Sequence, residues 1–109
     1  MKKIEIIELP KIYDPRGNLT VAEENTHIPF DIKRMEWIHL GAIQPETPMK
    51  LGESPVMLIA LAGEITIQIM EEGTLKLTRP NQALILREAC KSSIIDSTEH
   101  SLLLTIYQK

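Results

Sequence analysis

Apolar and polar residues alternate along much of this chain. The clearest case is Glu64 to Ile69, in which Ile65, Ile67 and Ile69 point to one side and the intervening residues to the other. Val56 to Leu61 is continuously apolar, which is typical of a strand that is covered on both faces. No longer window carries an apolar stripe with the helical period. The pattern therefore predicts an all-β chain.

Further strands fit at intervals of roughly ten residues, a spacing typical of a sandwich or small barrel. They are Lys3–Leu9, Leu19–Glu23, Ile32–Leu40, Thr74–Leu77, Ala83–Leu86, Ser92–Ile95 and Ser101–Tyr107. All seven prolines fall between the predicted strands, where they interrupt no hydrogen bonds between paired strands. Gly41 to Pro55, with three prolines and two glycines, is predicted as the longest loop. A length of 109 residues suits one hydrophobic core, so we predict a single domain over residues 1–109.

Composition and charge narrow the function classes. The formal net charge of −3 argues against a nucleic-acid partner, which usually requires a basic face. No apolar run approaches the ~18 residues of a membrane helix, so we expect no membrane partner. The single cysteine, Cys90, excludes an intramolecular disulfide and indicates a reducing cytoplasm. His27, His39 and His100 form no closely spaced pair, so we predict neither a metal site nor a cofactor.

Two segments resemble a known family. Leu9 to Arg34 reads LPKIYDPRGNLTVAEENTHIPFDIKR, and Arg79 to Gln82 reads RPNQ. Both closely resemble the small cupins that isomerise dTDP-4-keto-6-deoxysugars, the sugar 3,4-ketoisomerases or WxcM-like domains. The resemblance implies a cupin, that is, a double-stranded β-helix or jelly roll, which periodicity alone does not distinguish from other sandwiches. It also implies bacterial surface-polysaccharide synthesis, a dTDP-sugar ligand and a homodimer formed by strand exchange.

The same resemblance indicates candidate ligand contacts at Arg16, Arg34, Trp37 and His39. Arg16 belongs to an Asp-x-Arg-Gly motif that also fits a simple tight turn, and its guanidinium suits a diphosphate. By the strand pleat, Trp37 and His39 share a face with Met35. We predict Trp37 as part of the core, with a stacking surface for a base or sugar as the alternative.

The segment that carries the family's chemistry is different here. Family members have a Gly-Gly-His-Ala-His stretch, whose two histidines fall near Met49 and Leu51 of this chain, and the preceding arginine falls near Glu46. A thioether or an isobutyl group cannot transfer a proton, which ketoisomerisation requires. We therefore expect a catalytically degenerate cupin that acts as a nucleotide-sugar-binding or accessory protein.

Two alternatives remain open on the sequence. The first is a working ketoisomerase that uses a different base, for which His39 and Glu53 are the candidates. The second is a structural interaction module whose pocket is filled by Met49, Leu51 and Trp37.

Overall fold

The computed structural model describes residues 4–14, 17–20, 28, 30–51, 55–70, 73–87 and 91–108. Within these ranges the chain forms β-strands and turns, and no helix that is long and apolar enough to cross a membrane. The strands are β1 (Ile4–Glu8), β2 (Lys11–Asp14), β3 (Gly17–Thr20), β4 (Arg34–Leu40), β5 (Met49–Lys50), β6 (Val56–Ala62), β7 (Ile65–Ile69), β8 (Gly73–Leu77), β9 (Gln82–Leu86), β10 (Ser92–Ser97) and β11 (Ser101–Tyr107).

Two antiparallel sheets form the body of the molecule. A five-stranded sheet has the order β1-β9-β6-β11-β4, and a four-stranded sheet has the order β5-β10-β7-β8. The hairpin of β2 and β3 forms a separate two-stranded sheet. The predicted all-β, double-sheet architecture is therefore confirmed.

Strand β6 contributes to two hydrophobic layers because its side chains alternate between the faces of the five-stranded sheet. Val56, Leu58 and Ala60 belong to the core between the sheets. The same core contains the inward-facing isoleucines of the other sheet, Ile65, Ile67, Ile69 and Ile94. Met57 and Ile59 belong to a second cluster on the outer face, together with Leu9, Ile28 and Phe30. The prediction that Val56 to Leu61 is covered on both faces is confirmed for Val56 to Ala60, all of which are buried.

The structure adds two strands, β5 and β2, to the predicted set and begins β3 earlier than predicted. The predicted loop Gly41–Pro55 contains the two-residue strand β5, which pairs with β10. The unpredicted strand β2 pairs with β3. Leu19 and Thr20 of β3 confirm the described part of the predicted strand Leu19–Glu23, but β3 begins two residues earlier, at Gly17. The two added strands have two and four residues, which is too short for alternation to reveal.

Candidate functional site

The sandwich is open on one side. Strands β4 and β5 each end their sheet, and among the described residues neither pairs with the other. Strand β8, at the other end of its sheet, contacts β9. The strand orders therefore place the β4 and β5 edges on the same side of the sandwich, with an unpaired gap between them. We call this opening the β4–β5 cleft and define it by Arg34, Glu36, Ile38, Met49 and Leu51.

The register of β4 on β11 decides which side chains face the cleft. Strand β4 lies opposite Leu103, Thr105 and Tyr107, which are buried on the inner face of β11. Their partners Ile38, Glu36 and Arg34 therefore point inward as well. The inner face of β4 thus changes from apolar at Leu40, which lies in the core, to charged at Arg34.

Arg34 and Glu36 form the polar part of the cleft. The guanidinium carbon of Arg34 lies 4.4 Å from the centre of the Tyr107 ring, a cation–π contact. Arg34 Nε lies 3.6 Å from Glu36 Oε2 in an ion pair, with the side chains 53% and 43% exposed. Thr105 Oγ1 donates over 3.4 Å to both the carbonyl oxygen and Oε1 of Glu36. The cleft therefore presents a cation and an anion side by side at an accessible position.

Met49 and Leu51 form the opposite wall. Met49 lies opposite Ile94 of β10, and the Leu51 N–H donates to the Ser92 carbonyl oxygen over 2.9 Å. Leu51 packs against the inner core, whereas Met49 is 38% exposed at the rim. Since alternate residues of a strand share a face, the two positions to which the resemblance assigns histidines both border the cleft.

Trp37 and His39 lie on the other face of β4. The interpretation of Trp37 as core is wrong, because its side chain is 56% exposed beyond the outer hydrophobic cluster. His39 is exposed and borders a shallow cavity of about 370 Å³ with Glu99 and His100. Arg34 and Trp37 therefore point to opposite faces of β4. Trp37 does not fill the cleft either.

Arg16, His27 and Glu53 lie outside the described residues, so their predicted roles stay predictions. The residues that sequence reasoning missed are Glu36 and Tyr107, which contact Arg34, and Thr105, which contacts Glu36. Only the pairing of β4 with β11 brings them together.

Among the residues that the structure describes, no group of three or more His, Cys, Asp or Glu side chains could hold a metal ion.

Comparisons with known proteins agree with this architecture. The family described as WxcM-like, C-terminal (FdtA) matches residues 2–109. A double mutant of the QdtA 3,4-ketoisomerase from Thermoanaerobacterium thermosaccharolyticum, solved with TDP, is 27% identical, with a TM-score of 0.85 over 100% of this chain and 82% of that chain. The WlaRB TDP-quinovose 3,4-ketoisomerase from Campylobacter jejuni is 25% identical, with a TM-score of 0.84 over 100% and 87% of the two chains. No curated protein matches the sequence.

A more distant structure shares the fold alone. The dTDP-4-dehydrorhamnose 3,5-epimerase from Bacillus anthracis is 10% identical, with a TM-score of 0.75 over 97% of this chain and 72% of that chain. Together these matches confirm the predicted family and its cupin-like fold.

Proposed function

Since the chain belongs to the WxcM-like family, we propose that it binds a TDP-linked 6-deoxysugar in the β4–β5 cleft without isomerising it. The ligand class is supported by QdtA, which has been solved with TDP and, as a mutant, with TDP-4-keto-6-deoxyglucose. Arg34 offers the cleft a guanidinium, the group best suited to phosphate oxygens, in a position fixed by the Tyr107 ring.

The proposed loss of isomerisation is supported by the groups in the cleft. A 3,4-ketoisomerase removes a proton beside a ketone and returns one to the neighbouring carbon, which needs an acid–base group within hydrogen-bond reach. Met49 and Leu51 offer none. His39 and His100, the histidines that the structure describes, are exposed outside the cleft. The carboxylate of Glu36 is engaged by Arg34 and Thr105. This placement of the described histidines is the observation that carries the proposal.

Ligand binding is tested by thermal unfolding with and without TDP. We expect millimolar TDP to raise the melting temperature by a few degrees. The stabilisation of the folded state grows with the ratio of ligand concentration to dissociation constant, and this ratio is small for a weak site. Arg34→Gln should abolish that rise. Arg79→Gln is the matched control, since Arg79 is similarly exposed at 57% and pairs with Glu8 away from the cleft.

Besides the absence of any TDP-induced rise in the wild type, two outcomes of this titration would contradict the proposal. The first is the same TDP-induced rise in the Arg34→Gln variant as in the wild type. The second is a dissociation constant below about 1 µM, which would indicate a fully formed nucleotide-sugar site rather than a degenerate one.

We also propose that the chain forms a homodimer by strand exchange. Three features of the described residues support it: β4 has an unpaired outer edge, the β2–β3 hairpin pairs with neither large sheet, and Met35 and Trp37 are exposed on the face of β4. A hairpin from a second copy would pair with the free backbone groups of the β4 edge and cover both side chains.

The single Cys90 and a nucleotide-sugar ligand support the further proposal of a cytoplasmic location.

A further inference from the structure

Glu36 places a negative charge next to the arginine of the β4–β5 cleft. Its Oε2 lies 3.6 Å from Arg34 Nε, and its Oε1 lies 3.4 Å from the buried Thr105 hydroxyl. The Tyr107 ring contacts the guanidinium on one side, and the Thr105 hydroxyl contacts the carboxylate, so each charged group has a second partner besides the other.

A phosphate that approaches Arg34 therefore meets both charges. Phosphate oxygens accept hydrogen bonds from a guanidinium, but they have no proton to donate to a carboxylate and are repelled by it. The diphosphate has to displace Glu36 from Arg34 or bind beside an unfavourable charge.

On the basis of the proposed function, we infer that Glu36 is a specificity-determining residue that lowers the affinity of the cleft for the diphosphate. The penalty grows with the negative charge of the ligand, so it is greatest for TDP, smaller for TMP and absent for thymidine. Both side chains are about half exposed, and charge interactions at such positions change an equilibrium constant by roughly two- to tenfold.

The experiment titrates thymidine, TMP and TDP into the wild type, Glu36→Gln and Glu64→Gln, with calorimetry as the readout. Glu64 is the matched control, because it is 48% exposed and forms a surface ion pair with Lys76 at 3.0 Å, outside the cleft. Glutamine keeps the size and the hydrogen-bond acceptor of glutamate, so the fold is retained.

We expect Glu36→Gln to bind TDP roughly three- to tenfold more tightly than the wild type at low ionic strength, with a smaller gain for TMP and none for thymidine. Unchanged or weaker TDP binding by this variant overturns the inference alone. An equal gain in Glu64→Gln, or an equal gain for thymidine, also overturns it, since the effect would then be unrelated to a charge beside Arg34. Failure of every protein to bind TDP overturns the proposed function and this inference with it.

Discussion

Two buried serines at the ends of β10 differ in their hydrogen bonds. Ser97 Oγ donates to the Gly41 carbonyl oxygen over 2.8 Å and accepts from the Ile43 N–H over 3.1 Å, which ties the segment after β4 to β10. Ser92 Oγ is buried, and none of the described residues forms a hydrogen bond with it, although its backbone carbonyl accepts from the Leu51 N–H. A buried hydroxyl without a partner is destabilising, whereas a paired one stabilises the fold.

We therefore predict opposite effects for two identical substitutions. Ser97→Ala should lower the free energy of unfolding by about 1–3 kcal/mol, because it leaves two backbone groups without their partner. Ser92→Ala should leave it unchanged or raise it by up to about 1 kcal/mol. Urea denaturation of both variants measures the difference. Equal losses of stability in the two variants would contradict the account of β10.

Strand β4 shows how far single residues could be placed from the sequence. Alternation correctly groups Met35, Trp37 and His39 on one face. It could not reveal which face is inside, since Met35 and Trp37 on one side are as apolar as Ile38 and Leu40 on the other. The register with buried residues of β11 decides it. For this reason Trp37 was assigned to the core and Glu36 was not recognised as a cleft residue.

The larger elements were easier to predict than the cleft they form. Strands β6, β7 and β11 have long apolar or alternating runs, and their predicted positions agree with the structure to within about a residue. Strand β5 has two residues and follows a segment that contains Pro45 and Pro48. It exists because β10 offers Ile94 and Ser93 as partners. Such a strand depends on tertiary pairing rather than on its own sequence, and it carries one wall of the cleft.

Turns between strands allow a matched test of backbone conformation. Gly63, between β6 and β7, has φ of 75°, and Gly73, at the start of β8, has φ of 108°. A Cβ at Gly63 would collide with Ser101 Oγ and lie 2.7 Å from Thr98 Oγ1, whereas at Gly73 it would meet nothing within 4 Å.

Gly73→Ala should therefore cost about 1–2 kcal/mol of unfolding free energy, the strain of a positive φ in a residue with a side chain. Gly63→Ala should cost about 1–3 kcal/mol more, because it also disrupts the Thr98–Ser101 hydrogen bond. Chemical denaturation compares the two variants. If Gly73→Ala is more destabilising than Gly63→Ala, the close packing of Gly63 against Thr98 and Ser101 is contradicted.

In the proposed dimer, the exposed side chain of Trp37 lies in the interface between the two protomers. Light scattering at micromolar concentration should give twice the 12.4 kDa mass of the chain. Trp37→Ser should shift the equilibrium toward monomer, since the substitution removes apolar area that the partner covers. Met70→Ser is the control, because Met70 is equally exposed at 57% but lies at the turn after β7. A wild type that scatters as a single chain would contradict the dimer.

The central claim, a nucleotide-sugar cleft without catalysis, is tested most directly by proton NMR of TDP-4-keto-6-deoxyglucose mixed with the protein. Saturation transfer in the same sample reports binding, and the time course of the sugar signals reports isomerisation. Each general acid–base group typically contributes about 10²–10⁴-fold in rate. Because Met49 and Leu51 replace both histidines of the family, we predict saturation transfer to the ligand with no 3-keto product above the uncatalysed background. Product formation at about 1 s⁻¹ or faster would contradict the claim.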